Sequence, residues 1–173
     1  MIYLIAGATH TGKTNLAQAL INQTNYPCLN EDLLKMGLIR SHQTQLTVED
    51  DEELTPFLWS IVKEMIKTAI ENEQNLIIEG CYIPFDWKKD FDEFYLKNIK
   101  YVCLIMSKKY LKENFLVVKK YGSVIEKRLD DSNPDLAELV KENTYNLKQC
   151  QKNKLNYYLI NSRYEIELKN LFS

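Results

Sequence analysis

The chain has 173 residues, 45% of them hydrophobic, and its 22 Lys plus Arg nearly balance 24 Asp plus Glu. That length fits a single domain over residues 1–173 with a buried core, and a net charge of −2 gives no general pull toward nucleic acid or anionic membrane. Cys28, Cys81, Cys103 and Cys150 form no C-x-x-C pair, and no apolar stretch reaches membrane-spanning length, which argues against a metal knuckle, a disulfide framework and a membrane anchor.

Ile2–Ala6 reads as a buried strand. It is too short for a secretory leader, so the expected location is the cytoplasm. It runs into Gly7-Ala8-Thr9-His10-Thr11-Gly12-Lys13-Thr14, the pattern G-x-x-x-x-G-K-T, and then into helical spacing over Asn15–Ile21. Strand, glycine loop and helix in this order make a phosphate cradle. Gly7 and Gly12 let the backbone approach a triphosphate. The N–H groups from His10 through Thr11 and Gly12 to Thr14 point at the phosphates, with the positive helix end behind them. Lys13 spans the β- and γ-phosphates, and the Thr14 hydroxyl ligates Mg²⁺.

Asn25–Leu29 reads as a second strand, followed by Asn30-Glu31-Asp32 and a short helix from Leu33 to Arg40. Thr47-Val48-Glu49-Asp50 resembles the opening of a short helix, and Thr55-Pro56 the start of a longer one with Leu58, Ile61, Val62, Met65, Ile66 and Ala69 on its core face. Asn75–Gly80 is a third strand ending in Glu79 and Gly80. A helix is expected over Lys88–Lys97 with Phe91, Phe94 and Tyr95 inward, then a fourth strand over Tyr101–Met106 with Ser107 as a cap. The charged stretch 108–131 is interrupted at Gly122-Ser123. Ser132-Asn133-Pro134 opens a helix running to about Lys152, Tyr157–Ile160 is a fifth strand, and Arg163–Phe172 a closing helix. Strands separated by crossover helices argue a parallel sheet covered on both faces, with ligands at the carboxyl ends of its strands. The glycine loop, Asp32 and Glu79 all fall at those ends.

On these motifs the chain resembles the P-loop kinases of the adenylate-kinase-like group, which includes nucleoside monophosphate and shikimate kinases. The resemblance spans nearly the whole length. It rests on the glycine loop, the Glu-Asp-Leu-Leu-Lys run at 31–35, the Ile-Ile-Glu-Gly of the third strand, and the charged segment before the last helix. The stretch from Glu79 to Trp87 is similar to that of proteins described as adenylate kinases or as 2-phosphoglycerate kinase-like. It implies a three-layer α/β fold with a five-stranded parallel sheet in the order 2-3-1-4-5, helices on both faces and a small helical lid at about 112–135. It also implies ATP and Mg²⁺, and a small-molecule phosphoryl acceptor as the partner of a monomer or homodimer.

Roles follow by position. Asp32 meets the acceptor hydroxyl, or caps its helix, or both. Glu79 holds Mg²⁺ through water or acts on the acceptor. Lys35, Arg40 and Tyr82 face the acceptor, Arg128 is the lid arginine that closes on the γ-phosphate, and Arg163 lies where related kinases pass the adenine. Glu79-Gly80 stands in the place of the Asp-Gly of the adenylate kinase motif Asp-Gly-x-Pro-Arg, but the chain departs from it after Gly80, where the arginine is missing and Cys81-Tyr82-Ile83-Pro84 follows. Only Arg40, Arg128 and Arg163 are arginines, few for gripping two phosphate groups, which favours a non-nucleotide acceptor. A GTPase switch is disfavoured because Asn153-Lys154-Leu155-Asn156 lacks the aspartate of N-K-x-D and no Asp is followed by Gly three residues later. The expectation is therefore an ATP-dependent phosphotransferase, with adenylate kinase and a non-catalytic ATP-binding regulator as alternatives.

Overall fold

A computed structural model describes residues 1–121, 135–166, 168 and 171–172. Five parallel strands, β1 (Ile2–Gly7), β2 (Cys28–Asn30), β3 (Leu76–Gly80), β4 (Ile99–Met106) and β5 (Tyr157–Ile160), form one sheet in the order β2-β3-β1-β4-β5. The helices are α1 (Lys13–Thr24), α2 (Glu31–Arg40), α3 (Asp51–Glu71), α4 (Glu93–Leu96), α5 (Lys108–Tyr121) and α6 (Leu136–Lys152). This is the expected fold class and strand order.

Alternation along the central strands supplies two cores. Ile5, Ile77, Val102 and Leu104 face α1 through Leu16, Ala17 and Leu20. Ile2, Leu4, Ile78, Cys103 and Ile105 face the other way, onto Trp59, Val62 and Ile66 of α3 and Cys150 of α6. Val62 and Ile66, like Leu54 and Leu58 on the same helix, are wholly buried, at about 1.5–3 kcal/mol each. The register then aligns the site. Asn30 of β2 stands opposite Glu79, Glu79 opposite Ile5, and Gly80 opposite Ala6, so the ends of three strands meet where the glycine loop begins.

Several boundaries differ from the sequence reading. β2 is shorter and later because Asn25 closes α1 in a left-handed conformation (φ 57°). The cap of α2 is Asn30, whose side chain accepts the Leu33 N–H at 3.0 Å, so Asp32 is a first-turn residue and not the cap. The two expected helices around Thr55 are one, α3, with Pro56 inside it. Burial of Leu54 and Leu58 on either side of the proline outweighs its lost hydrogen bond. Thr47 instead closes a turn, donating its N–H and hydroxyl to Asp50 Oδ2 at 2.7 and 2.8 Å.

The helix expected over 88–97 is broken into a 3₁₀ turn, Trp87–Asp90, and the short α4, because Asp92 caps the N–H groups of Phe94 and Tyr95. Phe94 is exposed rather than inward. Ser107 is a cap as read, its Oγ accepting the Tyr110 N–H at 3.0 Å. Arg163–Ile166 is not helical. Side-chain and backbone contacts hold this segment: the Tyr158 hydroxyl donates to the Glu165 carbonyl at 2.6 Å, and Tyr164 turns onto the glycine loop. The expected helix start at 132–134, most of the expected lid and its Arg128 lie outside the described residues.

Candidate active site

The glycine loop has the geometry of a cradle. Gly7 has φ 149°, and a Cβ there would lie 2.7 Å from the Leu104 carbonyl and 2.8 Å from Thr11 Oγ1. Gly12, at φ 85°, is the N-cap of α1; among the described residues no side chain caps that helix end, and no acid lies in its first turn. A helix terminus of this kind suits an anion. His10 has φ 65°, a left-handed bend that contributes to the loop through its backbone. Thr11 is buried and donates its hydroxyl to the Ala8 carbonyl at 2.8 Å, pinning the loop from beneath. The Tyr164 hydroxyl lies against Gly12 and donates toward the Thr11 and Gly12 carbonyls at 3.3 and 3.2 Å.

Lys13 is buried and donates to the Ala8 carbonyl at 3.0 Å. Burial works against its charge, but Cys81, Glu79 and Asp32 more than offset this, so its pKa is raised and the ammonium is retained. Thr14 donates its hydroxyl to Glu79 Oε1 at 3.1 Å, and the Asn30 amide donates to the same oxygen. Glu79 is buried with both donors in place. The residues read as magnesium ligands are thus hydrogen-bonded to each other. Among the described residues no cluster of three His, Cys, Asp or Glu side chains forms a metal cage. The Thr14 hydroxyl and the Glu79 carboxylate are hard oxygen donors of the kind Mg²⁺ takes.

A second carboxylate at this seam, Glu31, was not singled out from the sequence. It is wholly buried, its Oε2 accepts the Tyr82 N–H at 2.8 Å, and its Oε1 has no hydrogen-bond partner among the described residues. Burial pushes its pKa up to about 7, against the pull of the Tyr82 N–H and Lys13. Gly80 makes room for it, since a Cβ on Gly80 would strike the Glu31 carboxylate. No local signal in the sequence marks it, since the glycine that makes room for it ends a different strand.

Asp32 pairs with Lys35 at 2.9 Å, and Lys35 also donates to the Tyr82 hydroxyl at 2.9 Å. The Tyr82 hydroxyl in turn donates to Asp51 Oδ1 at 2.8 Å, and burial together with Asp51 pushes the phenol far up, keeping it neutral. Asp32, Lys35 and Tyr82 therefore form one chain of contacts ending at the first turn of α3. Partial burial pushes the Glu142 carboxyl up, while Lys13 and the Thr9 N–H, which it faces from α6, draw it down. Arg40 sits exposed at the end of α2, and Arg163 is exposed and paired with Glu165 at 3.8 Å. Neither is brought to the cradle. Tyr164, not its neighbour Arg163, makes the contact there. A cleft of about 730 Å³ opens from Gly7 between the start of α3, the segment after β3 and the second half of α6.

A model of the zeta toxin family matches residues 1–107, the part of the chain that carries the cradle and the carboxylate seam. The chain belongs to the zeta toxin family. Among solved structures, this family member is similar to a presumptive kinase from Chloroflexus aurantiacus, with 18% identity, 97% of this chain and 92% of that one covered, and a TM-score of 0.57. It is similar to a shikimate kinase from Bacteroides thetaiotaomicron, at 16% identity with 99% and 92% covered and a TM-score of 0.52. A deoxyadenosine kinase from M. mycoides gives 16% identity, 99% and 95% coverage and a TM-score of 0.52. No curated protein matches the sequence. These likenesses give the zeta toxin family member a kinase-like P-loop NTPase fold, and no described helix is long and apolar enough to cross a membrane.

Proposed function

We propose that the protein is an ATP-dependent phosphotransferase that moves the γ-phosphoryl group to a hydroxyl of a small-molecule acceptor. The observation that carries this reading is the direct hydrogen bond between Thr14 and Glu79 beside the buried Lys13, at the end of the glycine loop. The nucleotide phosphates would rest on the loop N–H groups, with Lys13 reaching the terminal phosphate. Bound Mg²⁺ would neutralise charge on the phosphates, with Thr14 and, through water, Glu79 as its protein ligands. Asp32 orients the acceptor hydroxyl and takes its proton, while Lys35 fixes the carboxylate from the other side. Arg128 neutralises transition-state charge from the lid, and Tyr164 flanks the nucleotide at Gly12.

The test is ADP formation with Mg²⁺ over a panel of nucleoside monophosphates, phosphorylated three-carbon acids, sugars, nucleosides and amino alcohols, with Lys13→Ala as the blank. The reading expects slow turnover of ATP alone and a sharp rise with one acceptor class. Vigorous turnover that no acceptor changes would contradict it. A response confined to AMP would make the protein an adenylate kinase and remove the role given to Asp32.

The family match favours one refinement, that phosphorylation of the acceptor halts growth of the cell that makes the protein. Controlled expression then arrests growth, and Lys13→Ala restores it. Arrest that persists in Lys13→Ala would contradict the refinement.

A further inference from the structure

At the opposite end of the sheet from the glycine loop, where β4 begins and the chain enters β5, lies a second pocket of about 370 Å³. Small-molecule sites run from about 300 to 1,000 Å³, so the space suits one compact ligand. Trp87 and Tyr101 form one wall, their rings stacked at 5.6 Å with 26° between the planes. Leu96, Ile99, Leu155 and Phe172 supply the rest of the apolar lining. Walls of this kind select an apolar body.

The charges at this pocket are of one sign. Lys88 and Lys100 line it, both exposed, and no Asp or Glu does so among the described residues. Lys88 lies over the Trp87 ring at 5.9 Å from its centre. Neither lysine is in an ion pair among the described residues. Asn156, also on the wall, uses its amide nitrogen on the Tyr101 and Leu171 carbonyls at 3.2 and 2.6 Å.

Trp87 adds a donor that the fold leaves over. The residue is 2% exposed, and its indole N–H has no acceptor among the described residues. Trp59 shows the ordinary arrangement, donating its N–H to Asp90 Oδ2 at 2.8 Å. An unpaired buried donor is destabilising, and an acceptor brought beside the ring removes that penalty. The Tyr101 hydroxyl is not equivalent, because it is engaged with the Cys103 and Cys150 thiols. An indole N–H and two ammonium groups can only donate, so their complement is an anionic acceptor. The two oxygens of a carboxylate match one indole N–H and one ammonium. A phosphate dianion needs more donors than a wall this apolar carries.

We infer that this pocket binds a small apolar carboxylate, its ring or hydrocarbon body against Leu155 and Phe172 and its carboxylate held by the Trp87 indole N–H and Lys100. The site shares no residue with the glycine loop or the carboxylate seam, and it stands whether or not the phosphotransferase reading does.

The test titrates phenylpropanoate into the full chain and follows the indole N–H signals by NMR, with Trp87→Phe assigning the two tryptophans. The Trp87 signal moves to saturation while that of Trp59 stays in place. The uncharged phenylpropanamide binds about tenfold more weakly or worse, and Lys100→Ala weakens phenylpropanoate to a similar degree. Lys100 is exposed, so this variant keeps the parent's melting temperature and its affinity for a non-hydrolysable ATP analogue. Absence of a saturable shift, a shift of Trp59 as large as that of Trp87, or equal binding of the amide overturns the inference. Tighter binding of phenyl phosphate than of phenylpropanoate overturns the carboxylate class.

Discussion

The cradle at residues 7–14 and the carboxylate seam at the ends of β2 and β3 sit side by side and are built in opposite ways. The cradle is one continuous stretch whose work is done by backbone conformation: two glycines at positive φ, a left-handed His10, and an uncapped helix end. The seam is assembled from separate stretches, and its side chains serve fold and site at once. Asn30 caps α2 with its oxygen and holds Glu79 with its nitrogen. Gly80 ends β3 and makes space for Glu31. Changes in the cradle should therefore strike turnover and spare stability, whereas changes in the seam should strike stability whether or not a ligand is present.

The largest expected effect is in the cradle. Lys13→Ala should lower acceptor-dependent turnover about a thousandfold or more, with a melting temperature close to that of the parent, read by ADP formation and thermal unfolding. A large loss of stability in this variant would break the contrast, because it would make Lys13 part of the scaffold. The next is in the seam. Gly80→Ala forces a methyl group onto the buried Glu31 carboxylate and should cost about 2–3 kcal/mol of unfolding free energy by urea denaturation without any ligand.

Glu31→Gln sharpens the contrast through pH. The folded Glu31 has a pKa of about 7 against an ordinary 4.5, so between these values the folded chain keeps a proton that the unfolded chain has released. The stability tied to this group is thus fully present at low pH and is lost as pH rises toward and through 7. Glu31→Gln, with no charge to bury, should match the parent at low pH and exceed it by roughly 2 kcal/mol above pH 7. A variant less stable than the parent at pH 8 would show instead that the ionised Glu31 is well compensated. The smallest effect is the cap. Asn30→Ala should cost about 1 kcal/mol for the lost cap and somewhat more through the stranded Glu79.

The same contrast explains what the sequence disclosed. The cradle was legible because contiguous residues with required conformations leave a local pattern, and the sheet was legible because β1 is an apolar run and β3 and β4 are interrupted only by Glu79 and Lys100. Glu79 was legible as an acid at a strand end, and its contact with Thr14 bears out the closeness of these two residues. Glu31 was not, because its burial depends on a glycine 49 positions away in sequence and nothing local marks the pairing. Asp51 and Glu142 likewise reach the site only through the packing of α3 and α6. Asp32 was placed at the site but misread as a possible cap, since Asn30 and Asp32 are both good caps and only the backbone decides between them. Tyr164 was missed because the segment around it was read as helix, and a tertiary contact to the glycine loop overrode that local preference.

In the proposed function, Thr14 and Glu79 serve one magnesium-bound nucleotide. The most direct measurement is calorimetric titration of a non-hydrolysable ATP analogue into the parent chain and into Glu79→Gln, each with and without Mg²⁺. The parent should bind the analogue about tenfold or more tightly with the metal, and Glu79→Gln should lose most of that difference while keeping its metal-free affinity. Equal affinities with and without Mg²⁺ in the parent, or an undiminished metal effect in Glu79→Gln, would contradict the assignment of this pair.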